Sequence, residues 1–192
     1  DDVHVGIAGR VFYVFEVEQR RLLDDADRDR GDEISDRRAG QLAHAADLAV
    51  VADHSVSSSM SVRLFVTGGT FDKEYDELHG TLDFRHTHVE EMLRRGRNGL
   101  DVAVEVLMMV DSLDMTDNQR AAIVAACASC AESQVVITHG TDTLVDTARA
   151  LADGVQGKTI VLTGAMVPYA FGSSDGLFNL GSALSFVQTL PP

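Results

Sequence analysis

The chain is poor in several things at once. Its 192 residues include two cysteines, three prolines and no tryptophan, and only 6% of the chain is aromatic. Two cysteines cannot staple a small secreted fold, and they make at most half of a zinc site. Positive charge is also scarce: 16 Lys and Arg stand against 30 Asp and Glu, for a formal net charge of −14 and a pI near 4.7. Nucleic acid would be repelled by such a surface, and so would an anionic membrane. No apolar run approaches the ~18 residues of a spanning helix. Asp1-Asp2-Val3-His4 shows no basic region, apolar stretch or cleavage site, and no initiator methionine. The expected location is cytoplasmic. What is present, 45% apolar residues in a chain of this length, suits one domain with a sizeable core and a short appendage.

The cysteines fall in Ala-Ala-Cys127-Ala-Ser-Cys130-Ala, whose small apolar flanks read as a buried helical face. Packing, rather than redox chemistry, is the expectation.

The pattern changes near Met60. Beyond it, strands at 62–67, 102–110, 134–138 and 159–163 alternate with helices at 87–95, 116–131, 142–153 and 175–188. Thr87-His-Val-Glu90 and Thr116-Asp-Asn-Gln119 both have capping-box form. Such alternation predicts an α/β fold, a mainly parallel sheet flanked by helices on both faces. Before Met60, residues 3–8 and 11–15 predict a hairpin through Gly9-Arg10. Residues 24–38 are densely charged and read as solvated or disordered, 41–52 allow a short helix, and 55–59 read as a flexible linker. The expected division is therefore a hairpin segment at 1–23, a charged linker at 24–59 and the α/β domain at 60–192.

Two strand ends carry the chemistry. Val135-Val-Ile-Thr-His139 stops at Gly140-Thr-Asp-Thr143, and Val66-Thr-Gly-Gly-Thr70 repeats the arrangement upstream. Ligands of open α/β sheets bind beyond the carboxyl ends of strands. A threonine there becomes a nucleophile once a base takes its proton, and backbone N–H groups beside it can hold an oxyanion. Thr70 and Thr141 are candidate nucleophiles or proton carriers, while Asp142 can orient a proton relay or bind an amine. The helix start after Thr141 suits a carboxylate. Each motif alone is also an ordinary N-cap or glycine turn; their joint occurrence favours a pocket for a small zwitterion with a reactive carbonyl.

These two segments resemble the signature segments of the bacterial-type L-asparaginase family. The likeness extends to Asp111-Ser-Leu-Asp-Met-Thr-Asp117, Gly164-Ala-Met-Val-Pro168 and Ser173-Ser-Asp-Gly-Leu-Phe-Asn-Leu180, covering roughly residues 62–190 in family order. The resemblance implies the family's amino-terminal catalytic domain and hydrolysis of an amino-acid side-chain amide with release of ammonia. It implies Thr70 as primary nucleophile, Tyr75 as its loop partner, and Thr141 with Asp142 as the second catalytic group. Ser112 then contacts the substrate α-carboxylate, with Gly69, Gly140 and Ala165 also lining the substrate. No metal or organic cofactor is expected, and a homodimer is the expected assembly.

The sequence departs from the family pattern in three places. Leu113 stands where a glutamine usually follows the serine; the smaller carboxyl-terminal domain is missing; and the family's lysine falls in a segment beyond Pro192. Residues 3–12 resemble that missing segment, a strand, Gly-Arg and a second strand, placed at the other end. A circular permutation joined through 24–59 is the expectation; the alternative is an unrelated extension on a truncated domain. Under permutation the lysine position falls near Gln19-Arg20, neither of which accepts a proton at neutral pH. Lys73 is expected at the surface. The competing function is an inactive amino-acid-binding or structural domain, and a third is an ammonia-supplying part of an amidotransferase. His86-Thr-His88, lacking further ligands, is read as flanking a helix start.

Overall fold

Three apolar runs are buried along nearly their whole length. Strand β7 (Gln134–Thr138), β8 (Thr159–Thr163) and most of β3 (Val62–Gly68) have no exposed residue, as strands covered on both faces must. The computed structural model describes residues 3–8, 11–16 and 61–191. With β1 (Val3–Ala8), β2 (Val11–Glu16) and β6 (Val102–Val110), these strands form one sheet in the order β1-β2-β8-β7-β3-β6. All neighbours are parallel except β1, which pairs antiparallel with β2.

Alternate side chains divide between two cores. Val62, Leu64, Val66, Val136 and Val161 face one side, where α1 (Val89–Arg95) brings Val89 and Met92 and α4 (Gly176–Thr189) brings Leu180, Ala183 and Val187. Phe65, Val135, Ile137, Ile160 and Leu162 face the other. There α2 (Asp117–Ser129) contributes Ile123 and Cys127, and α3 (Leu144–Gly154) contributes Leu144, Ala148 and Leu151. This is the α/β architecture expected from the sequence. The helix after β3 covers one face and the helices after β6 and β7 cover the other. The chain therefore splits at β3, and a crevice opens beyond the carboxyl ends of β3, β6 and β7.

Strands β6, β7 and β8 keep the bounds read from the sequence, and the expected amino-terminal hairpin is present, pairing with β8 at the sheet edge. Thr116 caps α2 with the expected capping box, reciprocated by Gln119. The box at 87–90 does not form. Thr87 turns its hydroxyl to Asp72 Oδ1, 3.1 Å away, and α1 begins at Val89 without a side-chain cap. A second hairpin, β4 (Lys73–Asp76) with β5 (Thr81–Phe84), was not evident from the sequence. The charged segment 24–59 and the Gln19-Arg20 position lie outside the described residues.

Candidate active site

Each element of the site follows the carboxyl end of a sheet strand within three residues: Thr70 after β3, Ser112 after β6, Thr141 after β7 and Ala165 after β8. Glycines let these turns touch. Gly68 and Gly69 both hold positive φ, 99° and 78°, which turns the chain sharply past β3 and lets Gly69 N–H donate to the Val110 carbonyl at 3.1 Å. A Cβ on Gly69 would stand 2.7 Å from the Gly140 Cα, and one on Gly140 would stand 2.5 Å from Ser112 Oγ. A Cβ on Gly164 would come within 2.8 Å of Thr141 Cγ2. The turns after four strands are thus packed backbone to backbone around one point.

Hydrogen bonds fix them. Thr67 Oγ1 donates to the Thr138 carbonyl at 2.7 Å, and Thr143 Oγ1 donates to the Ser112 carbonyl at 2.8 Å. His139 is fully buried; its Nδ1 donates to the Gly140 carbonyl at 2.8 Å, leaving Nε2 to accept from Thr147 Oγ1 at 2.9 Å. Burial lowers the pKa of this imidazole, so it stays neutral, as that tautomer requires. His139 therefore has the structural hydrogen bond expected of it, and it braces the Thr141 turn against α3. Asp175 accepts from the backbone N–H groups of Met166 and Val167 at 2.9–3.1 Å, and from Asn179 Nδ2 at 3.0 Å. Asn179 also donates to the Gly164 carbonyl at 3.0 Å. These two residues give the 173–180 motif a physical task, holding the Ala165 loop, which no spacing in the sequence disclosed.

The candidate residues differ in what they can reach. Thr70 and Thr141 are half-buried at the crevice. The Thr70 hydroxyl has no hydrogen bond among the described residues, and that of Thr141 meets only Met166 Sδ at 3.7 Å. Both are open to a ligand. Asp142 is exposed beside them. Gly69, Gly140 and Ala165 are buried. Ser112, expected to contact a substrate α-carboxylate, is 1% exposed, and its hydroxyl lies against the Gly140 turn without a hydrogen bond. Tyr75 is 53% exposed on β4, its hydroxyl beside the Gly80 turn and not hydrogen-bonded to Thr70. Lys73 is the correction. It is an ion-pair partner of Asp111, with its side chain only 19% exposed, so it is not a free surface lysine. Its ammonium holds the Asp111 carboxyl below the usual carboxylate range. Asp111 in turn caps the 3-10 turn at Ser112–Asp114 by accepting from Leu113 N–H at 3.0 Å. A cavity of about 250 Å³ between α1 and α4 is lined by none of these residues.

Comparison with known proteins agrees with this geometry. Residues 61–190 match the family described as Asparaginase, N-terminal. The chain is 32% identical over 135 residues to a probable periplasmic L-asparaginase of Haemophilus influenzae, covering 65% of this chain and 38% of that protein. It is 46% identical over 56 residues to an L-asparaginase of Thermococcus kodakarensis, 28% of this chain and 17% of the other. Among solved structures, the thermostable L-asparaginase from Thermococcus kodakarensis superposes with a TM-score of 0.60 at 28% identity, over 69% of this chain and 42% of that one. The probable cytoplasmic L-asparaginase from Campylobacter jejuni gives 0.58 at 29% identity, over 66% and 41%. The chain thus spans well under half the length of these relatives. No helix among the described residues is long and apolar enough to cross a membrane. A family match across most of the chain, over the same strand ends that build the crevice, shows that this protein belongs to the asparaginase family through its amino-terminal domain.

Proposed function

We propose that the crevice hydrolyses the side-chain amide of L-asparagine, or a close analogue, to the acid and ammonia, with Thr70 as nucleophile. The observation that carries this reading is the meeting of the Thr70 and Thr141 turns across Gly69 and Gly140. Two accessible hydroxyls then flank one substrate, and relatives of this chain are named L-asparaginase or probable L-asparaginase. Thr70 Oγ attacks the amide carbon while its proton passes, through Thr141 and Asp142, to the departing nitrogen. Backbone N–H groups of the glycine turns hold the oxyanion. Ammonia leaves an acyl ester on Thr70, and water cleaves it to the acid, restoring the hydroxyl. Asp142 takes the substrate's α-amine, and the start of α3 takes its α-carboxylate. Tyr75 closes over the substrate when β4 and β5 move inward. Ser112, covered here, shapes the Gly140 turn.

A second reading has its own observation. Among the described residues, neither threonine hydroxyl is hydrogen-bonded to a carboxylate, imidazole or amine that could take its proton. A domain that binds an amino acid without turning it over fits that state. Ammonia release from L-asparagine, compared between the full chain and Thr70→Ala, separates the two. Hydrolysis predicts turnover that the variant loses; binding alone predicts ligand-induced stabilisation and no ammonia from either.

The circular-permutation reading is supported by the β1–β2 hairpin, which extends the main sheet beyond β8 as a segment returning from α4 would. One detail runs the other way: the first strand after α4 would be β1, yet β2 lies beside β8.

A further inference from the structure

The sequence offered His86 and His88 without further ligands. The fold supplies a third. Glu74, on β4, places Oε1 3.1 Å from His86 Nδ1 and 3.3 Å from His88 Nε2, and the three donor atoms lie within 4.8 Å of one another. Zinc bound tetrahedrally to imidazole nitrogen and carboxylate oxygen at 2.0–2.2 Å spaces its ligand atoms about 3.3 Å apart. Both edges that meet at Glu74 already have that length. The remaining edge closes by turning His86, whose side chain is 65% exposed.

An acid paired with a histidine would give one such contact without any metal. Two further observations favour an ion. Glu74 Oε1 and His88 Nε2 are both buried and face each other at ion-pair distance, yet neither completes a hydrogen bond, although the His88 side chain is only 9% exposed. Buried polar atoms that make no hydrogen bond are rare and call for an explanation. The two imidazole rings also meet edge to face, centroids 4.6 Å apart at 62°, so both nitrogens converge on one oxygen. His88 is held from behind: its backbone N–H donates to Asp72 Oδ1 at 2.7 Å, and its ring lies 5.5 Å from that of Tyr169. Such support fixes a ligand's orientation before the ion arrives.

We propose that Glu74, His86 and His88 bind a divalent zinc-class ion, with the exposed side of His86 leaving a fourth position for water. Nitrogen donors select zinc and its neighbours over magnesium or calcium. Bound there, the ion ties β4 to the start of α1 and so anchors the β4–β5 hairpin. Tyr75 is the next residue on β4. That the ion thereby sets the position of Tyr75 over Thr70 rests on the hydrolase reading; the binding itself does not.

The test is calorimetric titration of the chelator-stripped full chain with zinc chloride, repeated for His86→Ala, His88→Ala, Glu74→Gln and His79→Ala. The expected result is one equivalent bound with micromolar affinity or better. Loss of His86, exposed and so not required for folding, should weaken binding at least tenfold, while His79→Ala should leave it unchanged. Cobalt in place of zinc should give the visible absorption of a tetrahedral site, absent in His86→Ala. Zinc should also slow amide hydrogen exchange across residues 73–84. No binding by the wild-type chain, or equal binding by His86→Ala, would overturn the site; unchanged exchange would overturn the anchoring. None of these readouts depends on ammonia release, so the failure of the hydrolase reading would be seen separately.

Discussion

Gly69 and Gly140, seventy-one positions apart, approach so closely that a methyl group on Gly69 would stand 2.7 Å from the Gly140 Cα. Gly69 also holds φ at 78°. The meeting of the two threonine turns rests on both properties. Gly69→Ala should cost about 2–4 kcal/mol, from left-handed strain plus the clash. Gly157 shares the positive φ, 71°, but nothing lies within 4 Å of its Cβ position. Gly157→Ala should cost only about 1 kcal/mol. Urea midpoints of the two variants check the difference; equal losses would mean that the approach of the turns is slack.

Asp175 accepts from two backbone N–H groups of the Ala165 loop and from Asn179. Asp175→Ala leaves those donors without their charged partner and should cost about 3 kcal/mol. Amide exchange at Met166 and Val167 should accelerate before the rest of the sheet. A variant with wild-type stability and exchange would show that the loop is held by other contacts.

His139 ties pH to stability. Its ordinary value of 6.5 is lowered by burial, partly opposed by its bond to the Gly140 carbonyl. The unfolded chain therefore takes up the proton first as pH falls. The stability from this neutral imidazole is present above the unfolded value and is lost as pH falls from about 6.5 toward the folded value, with a slope of at most about 1.4 kcal/mol per pH unit. Denaturation between pH 8 and 5 should show this slope in the wild type and a shallower one in His139→Gln. Parallel curves would contradict it.

Cys127 is buried and its thiol is pushed up to about 12 by desolvation. Thiolate chemistry at neutral pH is suppressed there. Alkylation near pH 8 should modify Cys127 only after denaturant is added; rapid labelling of the native chain would contradict the packing role that the sequence suggested.

Deletion of residues 1–23 tests the permuted reading. If β1 and β2 replace a missing part of the family sheet, their loss uncovers β8 and should lower the denaturation midpoint clearly. An unchanged midpoint would favour an unrelated extension.

The sequence disclosed the fold where burial decides it. Strands β7 and β8 were legible to the residue because their buried apolar runs end abruptly at polar turns, whereas β6, none of whose residues is buried, was legible from its β-rich composition. The β4–β5 hairpin was not, since three of the four residues of β4 are charged and three of the four in β5, Leu82 among them, are exposed, leaving no buried apolar pattern to read. The expected box at Thr87 meets a tertiary partner: its hydroxyl donates to Asp72, fifteen residues earlier, and accepts from Val89 N–H at 3.3 Å rather than from Glu90. The Asp72 carboxyl pKa is raised by burial, with its other oxygen left without a hydrogen bond. Within the site, both threonines and Asp142 could be named from their strand ends, whereas the covering of Ser112 and the pairing of Lys73 with Asp111 depend on how separate loops meet. Glu74 carried no local signal at all; its partners arrive only when β4 folds back beside the start of α1.

The central claim is that Thr70 and Thr141 act as one unit on one substrate. Ammonia release from L-asparagine should be measured for the full chain, for Thr70→Ala and Thr141→Ala, and for the double variant. Groups that share a catalytic step are non-additive. The account predicts turnover by the wild type, a loss of about a hundredfold or more in each single variant, and a double variant no worse than the poorer single one. Full turnover in Thr70→Ala, losses that multiply, or no ammonia from the folded wild-type chain would contradict it.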